Sequence, residues 1–194
     1  MRPIWHHGPL ARLDADGAVP VLWRVADAGA GRRHPAVVAL IAHLAGMAEA
    51  DIRLARHATG QPWVAYPSGW HVSLSGRGGH ALIAAARQPV GVDRELVEAD
   101  PPLWDMVTRD EARAIRARPA LDWPREWVRR WTIKEAYAKL VGEPRRIAPE
   151  AIDTRLIDRN RAMAWGEGEA LGWSEDRGDA IETLVWWERA RCPN

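Results

Sequence analysis

Trp70-His-Val-Ser-Leu-Ser-Gly-Arg-Gly-Gly-His-Ala-Leu-Ile-Ala-Ala-Ala-Arg-Gln-Pro-Val-Gly-Val-Asp93 decides the fold class of this chain. Residues 70–75 alternate apolar and polar side chains, the period of a strand with one buried face. The Gly-rich link 76–79 follows, then the apolar run 81–85, which predicts a hairpin whose connection is longer than a two-residue turn. Gln88-Pro89 is a second turn, and Val90-Gly-Val-Asp93 reads as a third strand.

Helical patterns lie on either side. Upstream, residues 1–33 are punctuated by Gly, Pro and Asp and read as an irregular approach, with 27–33 as a loop. Pro35 suits the first turn of a helix through Val37, Val38, Leu40, Ile41 and Leu44 to about Gly46, and a short strand follows at 52–54. Downstream, Thr108-Arg-Asp-Glu111 is a capping box ahead of a helix through Ile115. Asp122-Trp-Pro then opens the longest helix, with Pro124 in its first turn and Gly142 at its end. The tail 152–190 holds short strand-like pieces, the clearest being 181–187. A helix with a few strands in each half is an α+β arrangement of two lobes, divided as residues 1–89 and 90–194.

Composition narrows the function. The 194 residues are 47% apolar and 27% charged, as in ordinary globular proteins. A net charge of +1 argues against a general nucleic-acid binder. No apolar run has the length of a membrane span, the N-terminus lacks a signal-peptide core, and the single Cys192 can form no internal disulfide. The expected location is the cytoplasm. Twelve Trp with no Phe reads as coding bias rather than as an aromatic binding platform.

Lysine is the informative rarity. Of 27 basic residues only Lys134 and Lys139 are lysines, and both lie in Trp131-Thr-Ile-Lys-Glu-Ala-Tyr-Ala-Lys139. A compact ammonium suits a crowded phosphate or metal site better than a planar guanidinium. Trp131, Glu135 and Lys139 recur every four residues, so each step turns the side chain by only about 40° around the helix. That stripe also fits a surface Glu–Lys pair. On the third strand, Asp93 and Glu95 share a face. Two such carboxylates suit a hard cation such as Mg2+, or else a solvated strand end with Arg94 compensating.

Taken together, Gly91-Val-Asp-Arg-Glu95 and, 36 residues later, the segment 131–139 resemble the paired signature of the Sfp-type 4′-phosphopantetheinyl transferases. That family carries a (V/I)G(V/I)DxE strand and a W(S/T)xKE(A/S)xxK helix. Weaker similarities are Gly60-Gln-Pro62, Val72-Ser-Leu-Ser-Gly76 and Val107-Thr-Arg-Asp-Glu111. The resemblance implies two similar α+β lobes packed as a pseudo-dimer, the first lobe on the coenzyme A side. It implies an Mg2+-dependent enzyme, expected as a monomer. Such an enzyme moves phosphopantetheine from coenzyme A to a serine of an apo acyl- or peptidyl-carrier protein and releases 3′,5′-ADP.

By the same resemblance Asp93, Glu95 and Glu135 would hold Mg2+, and Lys139 would neutralise phosphate charge. Lys134 would flank the phosphates or lock the helix. Glu135, or a metal-bound water it orients, would take the serine proton. Ser73 and Ser75, read as exposed strand residues, match the family's serines as coenzyme A contacts. Arg32 and Arg33 stand nearest to its 3′-phosphate ligands, and Gln61 replaces the lysine of Gly-Lys-Pro. Leu74 replaces a phosphate-binding histidine, and Gly142-Glu-Pro-Arg replaces a Gly-x-Gly-Leu. Arg77 in the Gly-rich link could close over an anion instead. Arg109, Arg113 and Arg116 form a basic face for an acidic carrier, or simply a solvated helix face. Loss of coenzyme A contacts would leave the alternative of a non-catalytic binding or regulatory relative.

Overall fold

The computed structural model describes residues 2–26, 29–142 and 147–188. Strands β5 (His71–Arg77) and β6 (His80–Ala86) form the expected hairpin, with Arg77 opposite His80. The connection is therefore the two residues Gly78-Gly79, not a 76–79 link. Both have positive φ, 58° and 75°, and such turns match the twist of the strands they join. Gly76 and Arg77 stay in the strand.

The far edge of β6 pairs with β2 (Val21–Ala26), and β2 pairs in parallel with β1 (Ile4–His7), giving the order β1-β2-β6-β5. Residues 4–7 and 21–26 thus supply two of the four strands of a sheet, where an irregular approach was expected. The physical reason is two-sided burial. Val21, Ile83 and Ala85 pack beneath the first helix, whereas Leu22, Leu82, Ala84 and Ala86 face the other lobe. A strand covered on both faces shows no alternation. That helix, α1 (Ala30–Ala45), begins one turn before Pro35, so Arg32 and Arg33 are helical; Asp27 and Ala28 lie outside the described residues. Gly46 ends it in the left-handed conformation. A small ribbon, β3 (Arg53–Arg56) with β4 (Pro62–Tyr66), flanks this lobe.

The second sheet is antiparallel, in the order β7-β11-β10-β9-β8. Its strands are β7 (Val90–Leu96), β8 (Asp153–Leu156), β9 (Arg161–Trp165), β10 (Glu169–Asp176) and β11 (Ala180–Trp187). Helix α2 (Arg109–Arg116) carries the complete capping box, and α3 (Trp123–Val141) ends at a left-handed Gly142. Residues 143–146, where the family's Gly-x-Gly-Leu is replaced, and Cys192 lie outside the described residues. Helix α3 crosses β7 at Gly91. A Cβ there would run into the Ala136 carbonyl oxygen and stand 2.8 Å from the Leu140 nitrogen, so only glycine permits this crossing.

Each lobe is one long helix on a sheet, the α+β architecture of the phosphopantetheinyl transferase-like fold. The lobes share an apolar core in which Leu22, Leu82, Ala84 and Ala86 meet Val90, Val92, Leu184 and Trp186. Around it, Glu182 on β11 is fully buried and accepts Arg24 from β2 at 2.8 Å and Arg94 from β7 at 2.5 Å. With Arg177 at 3.2 Å from its other oxygen, three guanidinium partners offset the desolvation of that carboxylate. Where the edges of β5 and β7 meet, Ser73 Oγ accepts the Val92 N–H at 3.1 Å, which satisfies an edge donor without a ladder. Among the described residues no helix is long and apolar enough to cross a membrane.

Candidate active site

Gly91, Asp93 and Glu95 alternate onto the face of β7 that receives α3, while Val90 and Val92 turn into the core between the lobes. Two strand carboxylates are thereby carried beneath the helix that bears Glu135 and Lys139. Asp93 is 2% exposed. Its Oδ1 accepts the Lys139 ammonium at 2.7 Å and the Ser75 hydroxyl at 2.8 Å, and Lys139 Nζ also donates to the Val92 carbonyl at 3.1 Å. The partner of Lys139 is thus Asp93 on the neighbouring strand, not Glu135 on its own helix.

The other Asp93 oxygen, Oδ2, is buried without a hydrogen-bond partner. An orphaned carboxylate oxygen in the interior is costly, because it has lost water and gained nothing. Its neighbours sharpen the point. Burial pushes the Glu135 carboxyl up from its ordinary value, Asp93 adds to that, and Lys139 opposes it. Burial likewise raises Glu95, again with Asp93 adding, against Arg77 at 3.1 Å and Lys139. Three mutually repelling carboxylates face two cations. A hard divalent cation would satisfy the one unmatched negative charge and the one free oxygen. In the present arrangement no group of three acidic or histidine side chains among the described residues is close enough to ligate one ion; Lys139 and Arg77 stand against Asp93 and Glu95 instead.

Beside this group lies a cleft of about 370 Å³, lined by Arg33, His34, Arg56, Gln61, Ser73, Leu74 and Lys139 among others. The structure separates the two candidate arginines. The Arg33 guanidinium lies over Gly76, where any Cβ would collide with it, whereas Arg32 is exposed on the same turn and is not among the residues lining the cleft. Gln61 Nε2 donates to the Lys139 carbonyl at 2.7 Å, so its amide is engaged by protein. His34 and Arg56 were not singled out by sequence, because nothing local marks a helix histidine or a ribbon arginine as facing a cleft.

The exposure expected of Ser73 and Ser75 is corrected, and Lys134 takes the second of its two expected roles, locking the helix. Ser73 is 1% exposed rather than an open strand residue, and Ser75 is half-buried on Asp93. Arg77 pairs with Glu95 and lines a separate groove with Trp127 and Trp131. Trp131 stacks on Trp127 with ring centroids 5.6 Å apart. Lys134 is 1% exposed, with Nζ at 2.7 Å from Glu111 Oε2 and donating to the carbonyls of Pro149 and Ile152. It locks α3 to α2 and the following loop and has no donor left for a phosphate. The buried Glu111 was legible as a cap but not as the partner of Lys134.

Residues 89–179 match the family model of the 4′-phosphopantetheinyl transferase superfamily. That segment runs from the start of β7 through α2 and α3 to the end of β10, and so carries Asp93, Glu95, Glu135 and Lys139. No curated protein matches the chain.

Proposed function

We propose that this protein is an Sfp-type, Mg2+-dependent 4′-phosphopantetheinyl transferase acting as a cytoplasmic monomer. Coenzyme A supplies the phosphopantetheine, a serine of an apo acyl- or peptidyl-carrier protein receives it, and 3′,5′-ADP leaves. In this reading residues 1–89 form the coenzyme A lobe and 90–194 the lobe bearing the metal and the catalytic helix. The observation that carries the proposal is the unpartnered, buried Asp93 Oδ2, close to Glu95, Glu135 and Lys139, the last of which lines a cleft that also presents Arg33, His34 and Arg56.

Asp93, Glu95 and Glu135 are the residues that would hold Mg2+, whose charge would neutralise the pyrophosphate. Lys139 stands in the cleft wall, paired with Asp93, where its ammonium would neutralise a phosphate oxygen. Glu135 accepts the proton of the attacking serine hydroxyl. The serine oxygen forms the new bond to phosphorus, and the bond to the departing nucleotide phosphate breaks. Arg33, His34, Arg56 and Ser73 line the space for the nucleotide end.

The carrier would dock on α2. Arg109, Arg113 and Arg116 border a surface hollow with Trp104 and Val107. Arg113 is exposed on its pair with Asp110, and Arg116 stacks over Trp104 at 4.0 Å. The test is the intact mass of apo-carriers after incubation with the protein, coenzyme A and Mg2+. A phosphopantetheine adduct is expected with the wild type and is expected to be lost with Glu135→Gln. Full activity of that variant would remove Glu135 from the mechanism.

A further inference from the structure

Lys139 sits in the last turn of α3, where main-chain carbonyls have no partner within the helix. Its own carbonyl takes two donors. One is the Gly142 N–H at 3.2 Å, and the other is the Gln61 side chain at 2.7 Å, which arrives from the first lobe. The turn that presents Gln61 is itself fixed. His57 N–H bonds the Gln61 carbonyl at 2.9 Å, Gly60 N–H bonds His57 at 2.8 Å, and Arg56 Nη1 bonds the Gly60 carbonyl at 2.8 Å. Gly60 has φ +87°, a conformation that favours glycine. Lys139 is thus held at both ends, by Gln61 at its carbonyl and by Asp93 at its ammonium.

We propose that Gln61 is a positioning residue, an interlobe latch that sets the last turn of α3 and so the reach of Lys139 into the cleft. The catalytic part of this inference rests on the transferase reading above; the latch itself does not. A residue that merely contacted coenzyme A would alter affinity. A latch alters how often Lys139 is correctly placed, and so falls chiefly on turnover.

The test compares the wild type with Gln61→Met, which has similar size and no donor, and Gln61→Lys, which restores one. Gln61→Glu is a second variant without the donor should the methionine form fold poorly. By hydrogen exchange, the amides of residues 140–142 should open about tenfold faster in the donor-less variants and return toward wild type in Gln61→Lys. In transfer assays kcat should fall about tenfold while KM for coenzyme A changes less than about threefold. Unchanged exchange in the donor-less variants overturns the latch whether or not the protein transfers phosphopantetheine. A rise in KM alone overturns the positioning role in favour of direct ligand contact. Absence of transfer by the wild type would count against the transferase reading, and exchange would still decide the latch.

Discussion

Replacing Gly91 by alanine puts one methyl group where α3 crosses β7. The new Cβ would stand 2.8 Å from the Leu140 nitrogen, and closer still to the Ala136 carbonyl oxygen. Restoring an ordinary 3.4 Å contact requires the helix to move by about 0.6 Å at Leu140 and by more at Ala136. Both obstructions are backbone, so no side chain can rotate away. Overpacking of this kind costs about 1–3 kcal/mol, and a rigid obstacle belongs at the upper end. At about 2–4 °C per kcal/mol for a chain of this size, melting should drop by roughly 6–12 °C. The shift also pulls Lys139 from its 2.7 Å contact with Asp93, so transfer should fall further than the folded fraction does. Gly172→Ala is the control, since its Cβ would meet its nearest neighbours at 3.4 Å, an ordinary contact. Thermal and urea unfolding of both variants measure the difference. If Gly91→Ala melts within about 2 °C of the wild type, the close crossing is not as described.

The two lysines should separate by phenotype. Lys134→Met strands the buried Glu111 carboxylate and should cost about 3–5 kcal/mol by urea unfolding while the protein that stays folded still transfers, whereas Lys139→Met, which strands the buried Asp93, should abolish transfer even in the folded protein. Glu135 supplies a pH test. Its folded pKa is raised, so the carboxyl favours the folded state below its unfolded pKa, and that contribution is lost as pH rises through the folded value. Without metal, Glu135→Gln should therefore melt above the wild type at neutral pH, and the gap should close in acid and on adding Mg2+; a wild type equal to the variant at neutral pH would contradict the burial and repulsion ascribed to Glu135. Reversing Arg109, Arg113 and Arg116 to glutamate should lower kcat/KM for the carrier at low salt, less at high salt, and leave KM for coenzyme A in place.

The elements that were legible carry local signals. The capping box of α2, Pro124 and Gly142 bounding α3, and the alternation of β5 are written within a few residues each. What escaped depends on the neighbouring lobe. β2 shows no alternation because Val21 and Leu22 are buried on opposite faces of one sheet. The site divides in the same way. That Asp93 and Glu95 share a face follows from the strand period. That Lys139 reaches Asp93, that Gln61 holds its carbonyl, and that Lys134 is spent on Glu111 are contacts between residues more than 20 positions apart. No spacing rule within one helix or strand can supply them.

The account stands most directly on one measurement: the products formed from coenzyme A, Mg2+ and a panel of apo-carriers, followed by carrier mass, by peptide mapping of the modified serine and by release of 3′,5′-ADP. The expected result is one phosphopantetheine on one serine for each 3′,5′-ADP released, dependent on Mg2+ and absent with Asp93→Asn. Folded wild-type protein that modifies no carrier and releases no 3′,5′-ADP would contradict the transferase reading.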